Sequence, residues 1–292
     1  MKAPLLTILS VSLLVLALGS AASTAEPAAP MKLDNAFFAF DNGTGGNEWP
    51  LEEQAAMLKE LGYAGIGYSG RTGTEQIPEM LAALDAHGLK MFSTYVYADI
   101  AAEQPEYSPN LQRAIEQLKG RDTVIWLTVR GLPDNGKHDD RAVVAVRQVG
   151  QWAKAAGLRV ALYPHVGFYV GRFEDAMRIA DKVDMPNVGS SFNLCHWVSA
   201  EGRRDYAPVL KRAMPRLMLV SINGTDTDDG TRKLIQTLDQ GKYDVFAVLK
   251  TLRTLGYDGP IGLQCYNIKG DRRENLKRSM DAWRKFVKRM EQ

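Results

Sequence analysis

Val160-Ala161-Leu162-Tyr163-Pro164-His165 and, after an amphipathic segment at Phe173–Val183, Asn187-Val188-Gly189-Ser190-Ser191-Phe192-Asn193-Leu194-Cys195-His196 form the stretch on which the reading of this chain turns. Two short apolar runs each stop at a histidine, and a helical segment separates them. The chain has 4 histidines, so half of them fall at two neighbouring strand ends. Parallel βα barrels keep their reactive groups at the C-terminal ends of the strands. The pattern therefore predicts two adjacent units of such a barrel, with His165 and His196 on its active rim.

Working outward, the same unit recurs. Leu58-Lys59-Glu60-Leu61-Gly62-Tyr63-Ala64-Gly65 is echoed by Leu252-Arg253-Thr254-Leu255-Gly256-Tyr257-Asp258-Gly259, and Ala86-His87-Gly88-Leu89 by Ala155-Ala156-Gly157-Leu158. Gly62, Gly88, Gly157 and Gly256 stand where a helix ends in a left-handed residue. Strands are predicted at Asn35–Phe40, Ala64–Tyr68, Lys90–Tyr97, Thr123–Val129, Leu158–Tyr163, Asn187–Asn193, Leu217–Ile222 and Pro260–Gln264. Helices are predicted at Leu51–Leu61, Arg141–Ala156, Val245–Leu255 and Arg272–Val287 among others, and Val245–Leu255 shows the apolar spacing of one buried face. The alternation makes a single (β/α)8 barrel over residues 31–292. An open doubly wound sheet is the alternative, but no glycine-rich nucleotide fingerprint follows the first strand.

Residues 1–25 read as a secretory signal peptide: Lys2, an apolar run from Leu5 to Gly19, then small residues. The apolar run is short for a bilayer span. Residues 26–30 are a Pro/Ala lead-in, and the expected location is periplasmic or extracellular. A net charge of +2 offers no electrostatic case for a nucleic-acid or anionic-membrane partner. Cys195 and Cys265 fall on different strand ends and are read as free thiols, Cys195 as a small filler and not a nucleophile.

The two histidine-terminated runs resemble the xylose isomerase-like barrels, a superfamily of sugar isomerases and epimerases. The resemblance implies a metal site drawn from Glu on the fifth strand, Asp on the sixth, His on the seventh and Glu on the eighth. Here those positions read Tyr163, Asn193, Ser221 (or Asn223 in a shifted alignment) and Gln264. Hard divalent ions prefer charged oxygen ligands, so a phenol and two amides in place of carboxylates make a neutral polar site. No metal cofactor is expected. Zinc on the two histidines with an Asn193 or Gln264 oxygen stays open as an atypical ligand set.

The expected ligand is a small carbohydrate or polyol, and the expected chemistry is metal-independent proton transfer beside a carbonyl. His165 and His196 are the candidate acid/base pair. Tyr163, Asn193, Ser221, Asn223 and Gln264 are candidates for binding substrate, and Trp197 for a stacking wall among the aromatics that also include Trp49, Tyr95, Tyr97, Phe168 and Tyr266. Arg130 and Lys269 are candidates for holding an anionic sugar. The competing reading is a carbohydrate-binding barrel without turnover. The endonuclease branch of the superfamily needs a cluster of zinc ligands that four histidines and the missing carboxylates do not supply.

Overall fold

The four glycines marked as helix stops all adopt positive φ: Gly62 at 91°, Gly88 at 64°, Gly157 at 72° and Gly256 at 86°. Each turns the chain from a helix into a buried strand. The computed structural model describes residues 31–46, 48–69, 76–133, 136–227 and 233–292. The signal peptide and lead-in expectations lie outside the described residues.

The strands are β1 (Phe37–Phe40), β2 (Gly65–Tyr68), β3 (Lys90–Asp99), β4 (Glu106–Tyr107), β5 (Val124–Arg130), β6 (Arg159–Leu162), β7 (Val188–Asn193), β8 (Leu217–Ile222) and β9 (Ile261–Leu263). They pair in the order β2-β1-β9-β8-β7-β6-β5-β3, and β2 also pairs with β3, which closes the barrel. Every pairing in that ring is parallel. β4 is an addition: it runs antiparallel to the last residues of β3, which extends two residues past its predicted end.

Around the barrel run α1 (Leu51–Leu61), α2 (Ile77–Ala86), α3 (Leu111–Gln117), α4 (Asp139–Ala155), α5 (Phe173–Val183), α6 (Leu194–Glu201), α7 (Ala207–Ala213), α8 (Val245–Thr254) and α9 (Arg272–Met290). The predicted helices agree to within a few residues. One local reading differs. His196 is not at the end of a strand, because α6 begins directly after β7 and puts His196 in its first turn.

Aromatic rings fill the barrel interior. Phe38 stacks on Phe92 at 4.9 Å, Phe40 on Trp126 at 4.6 Å, and Trp126 on Tyr163 at 3.8 Å. Glycine on two strands makes room for them. A Cβ on Gly67 would come within 2.4 Å of the Phe40 ring, and one on Gly262 within 2.6 Å of Phe38. The upper stack, Phe40–Trp126–Tyr163, forms the floor of the cavity at the C-terminal end.

An ionic cluster around one buried carboxylate braces the outer wall. Asp139, 3% exposed on α4, accepts Tyr169 Oη at 2.7 Å, Arg178 Nε at 3.0 Å and Lys182 Nζ at 2.5 Å. Burial alone would raise the Asp139 carboxyl, but hydrogen bonds from Arg178, Lys182 and Tyr169 outweigh it and hold the group at about 2. Tyr169 lies in the β6–α5 connection, fully buried, and pins the loop that carries His165. In the same loop, His165 N–H donates to Val170 O at 2.9 Å and Val170 N–H to Val129 O at 3.1 Å.

Candidate functional site

The C-terminal ends of the parallel strands surround a cavity of about 450 Å³. Its polar lining comes from Asp41, Asn42, Tyr163, His165, His196 and Gln264, over Phe40, Trp126 and Tyr95. The ends of β1, β6, β7 and β9 supply most of these groups, as the fold requires of a barrel rim.

Hydrogen bonding fixes the polarity of the centre. Asn193 caps α6: its Oδ1 accepts His196 N–H at 3.2 Å and Cys195 Sγ–H at 3.0 Å. Its amide nitrogen must therefore be the end that faces Tyr163, and it donates to Tyr163 Oη at 3.1 Å. The Val166 backbone N–H donates to His196 Nδ1 at 3.4 Å. A backbone N–H cannot accept, so the His196 proton sits on Nε2, which lies 3.0 Å from Tyr163 Oη.

Gln264 is held in the same manner. Its Oε1 accepts Asn42 Nδ2 at 2.8 Å and the backbone N–H groups of Cys265 and Tyr266 at 3.1 and 3.2 Å. Only its NH2 remains to hydrogen-bond the phenol. Among the described residues, each side chain hydrogen-bonded to Tyr163 Oη is thus a donor, and none of these can take its proton. That proton is left for whatever occupies the cavity.

His165 has the opposite polarity. Its Nδ1 lies 3.0 Å from Val166 O, an acceptor, so Nδ1 carries the proton and Nε2 keeps a lone pair. Phe168 stacks on the ring at 4.2 Å, and the His196 ring centroid is also 4.2 Å away. Burial lowers the pKa of His165 although the Val166 carbonyl opposes it. Burial and the neighbouring His165 push His196 down to about 3. Burial, with Cys195 and Tyr95 adding to it, raises Tyr163 well above the ordinary phenol value, and a hydrogen bond from Gln264 only tempers this. All three groups are neutral near pH 7.

Several sequence candidates stand elsewhere. Trp197 is 3% exposed and packs on Phe192 at 5.8 Å behind the cavity, so it is no stacking wall. Asn193, 1% exposed, has both ends engaged and positions Tyr163 and α6. Ser221 is buried in β8 opposite Asn193. Asn223 donates to Gly224 O and Leu234 O at 2.8 and 2.7 Å, and so holds the segment that brings Ile235 to the cavity. Arg130 pairs with Asp99 at 3.2 Å and lies over Tyr97. The Lys269 amine donates to Asn267 at 2.9 Å. Cys195 and Cys265 are free and buried, and burial raises each thiol to about 12, which removes the nucleophilic thiolate.

Asp41 is a candidate site residue that the sequence analysis did not single out. It is 2% exposed, borders the cavity, and accepts Ser69 N–H and Oγ–H at 2.8 Å each. Its position directly after the last residue of β1 was the available signal.

The residues standing where related barrels place metal ligands do not suit a divalent ion. A neutral phenol, two amides whose oxygens are already taken and a buried serine offer no anionic oxygen. Among the described residues, no group of three His, Cys, Asp or Glu converges.

The family described as xylose isomerase-like TIM barrel matches residues 55–286. No curated protein matches the sequence. Among solved structures, a 3-keto-D-glucoside 4-epimerase from E. coli, in its apo form, is 20% identical, with 85% of this chain and 98% of that chain covered at a TM-score of 0.65. A D-allulose 3-epimerase from Methylomonas sp., in complex with D-allulose, is 16% identical over 88% of this chain and 98% of that one, with a TM-score of 0.70. A barrel from Mycobacterium smegmatis in complex with magnesium is 16% identical over 89% and 98%, with a TM-score of 0.64.

Proposed function

The chain belongs to the xylose isomerase-like TIM barrel family, and from that premise we propose that it moves a proton beside the carbonyl of a carbohydrate or polyol, as an exported isomerase or epimerase that needs no divalent ion. The carrying observation is the polarity of Tyr163: a neutral phenol ringed by donors, with its own proton free to face the cavity. In this reading Tyr163 Oη–H donates to the substrate carbonyl oxygen. His165 Nε2, which holds a lone pair, takes the proton from the adjacent carbon. The resulting enolate oxygen is stabilised by the phenol. The imidazolium then returns its proton on the same face to the neighbouring carbon, as the hydroxyl proton passes between the two enediolate oxygens, or to the original carbon after the enolate has turned its other face to His165.

His196 then acts by orienting Tyr163 instead of serving as the second acid/base, since both its nitrogens are engaged. Asp41, held by Ser69, is placed to accept a sugar hydroxyl. Fixed donors aimed at a developing oxyanion need no reorganisation during reaction. Such a donor supplies the polarisation that a dication would otherwise provide.

Solvent deuterium exchange into keto-sugars, followed by mass, tests the reading. Wild type should exchange one carbon-bound hydrogen, and His165→Gln should lower the rate by about 10²–10⁴. Exchange that survives His165→Gln overturns the mechanism. Sugar binding with no exchange would instead favour a carbohydrate-binding barrel without turnover.

A further inference from the structure

Val166 touches both site histidines through its backbone. Its carbonyl lies 3.0 Å from His165 Nδ1, and its N–H donates to His196 Nδ1 at 3.4 Å. The two groups belong to different peptide units: the N–H is shared with His165, the carbonyl with Gly167. The Val166 side chain is 40% exposed, so packing does little to orient either peptide. What orients them is a turn.

Phe168 N–H donates to His165 O at 3.0 Å, which makes residues 165–168 a β-turn. Its third residue, Gly167, has φ of 88°, and Val166 is not among the residues with positive φ. That combination is a type II turn, whose third position takes glycine or asparagine. A Cβ added to Gly167 would meet nothing within 4 Å. The glycine therefore serves the backbone conformation and not a close neighbour.

Types I and II keep the same hydrogen bond across the turn and differ by turning over the central peptide, here Val166 C=O with Gly167 N–H. The base of the loop is fixed, because His165 N–H donates to Val170 O at 2.9 Å and Val170 N–H to Val129 O at 3.1 Å. The type of the turn is thus decided locally. In the observed form a carbonyl faces His165 Nδ1; in type I the N–H of residue 167 would take its place.

We propose that Gly167 is a positioning residue: by holding this turn in its type II form it keeps the His165 proton on Nδ1 and the lone pair on Nε2. A donor at Nδ1 would send the proton to Nε2 and remove the lone pair that the proton transfer requires. Its consequence for catalysis rests on the function proposed above, but the tautomer is read without it. His196 faces the other peptide, whose N–H does not move when the central one turns over.

The test is two-bond ¹H–¹⁵N spectroscopy of the purified protein carrying ¹⁵N-histidine, near pH 7, which separates a protonated ring nitrogen from one with a lone pair. Replacing each histidine with Gln assigns the signals. In wild type His165 should be protonated on Nδ1 and His196 on Nε2. Gly167→Ala should move the His165 tautomer ratio about tenfold toward Nε2–H, the penalty of a left-handed alanine, and leave His196 unchanged. Gly167→Asn, which tolerates the left-handed φ, should keep both tautomers. A wild-type His165 protonated on Nε2 overturns the proposal. So does a His165 unmoved by Gly167→Ala, a change in both histidines together, or the same change in Gly167→Asn. Deuterium exchange into D-fructose separates this from the catalytic reading: it should fall about tenfold in kcat for Gly167→Ala with KM unchanged. A tautomer switch without wild-type exchange removes only the proton transfer, whereas exchange without the switch removes only the role of Gly167.

Discussion

Tyr163 shows how much one side chain's surroundings decide. A phenol with an ordinary pKa of about 10 is a poor base, and burial moves it further from ionisation. In the proposed mechanism its use lies in being a donor. Tyr163→Phe should therefore keep the fold and the stack on Trp126 while lowering deuterium exchange about 10²–10³-fold, the effect of removing one oxyanion donor. In the proposed mechanism His165 works only when neutral, and its folded pKa lies below the ordinary 6.5. Exchange should stay level as pH falls through 6.5 and decline only at lower pH. A decline centred above 6.5 would show that another group is the base. His165 was legible in the sequence because it ends an apolar run. The proton position on His196 was not, since it depends on the backbone N–H of Val166, 30 residues away.

At the scale of elements, the β6–α5 connection links stability to the site. Asp139 on α4 gathers Tyr169, Arg178 and Lys182, and Tyr169 anchors the loop of His165. Asp139→Asn should cost about 2 kcal/mol by urea denaturation, since it strips charge from a buried, multiply hydrogen-bonded group whose partners still reach water. The native Asp139 carboxyl titrates at about 2 against a usual 3.8. Its folded pKa is depressed, so its contribution is fully present above the unfolded value and is lost as pH falls from about 4 toward 2. The variant should lose that part of the acid dependence. Inside the barrel, Gly67→Ala should destabilise by about 1–3 kcal/mol through overpacking against Phe40, measurable in the same denaturation series. Sequence showed the glycine at 67 only as part of a strand; the ring it admits comes from β1.

For the whole molecule, the lack of a carboxylate at Tyr163, Asn193, Ser221 and Gln264 predicts indifference to metal. Thermal denaturation of the purified protein should be unchanged by EDTA, because a ligand bound only to the folded state would raise the midpoint and its removal lower it. A chelator-dependent drop, recovered with manganese or zinc, would establish a resident ion. The charge–apolar–small pattern before Glu26 predicts a mature chain that begins near that residue. Intact mass of the protein recovered after expression of the full sequence checks this, and a mass that still includes Leu5–Gly19 would contradict it.

The sequence by itself determined the barrel. Glycine stops, apolar periodicity and the order of elements are local properties, and each acts within a few residues of where it is written. The ring stack and the hydrogen-bond polarity belong to the tertiary structure alone. Trp197, adjacent to a site histidine in sequence, turns inward because the first turn of α6 points it at Phe192. Asp41 joins Tyr163 and His165 only because closure of the parallel sheet brings the end of β1 round to face that of β6. Asn193 resembles a ligand in the sequence, yet the helix that starts after it claims its oxygen and turns its nitrogen toward Tyr163. Which end of an amide faces a phenol is a matter of distances between distant residues, and only the folded chain sets them.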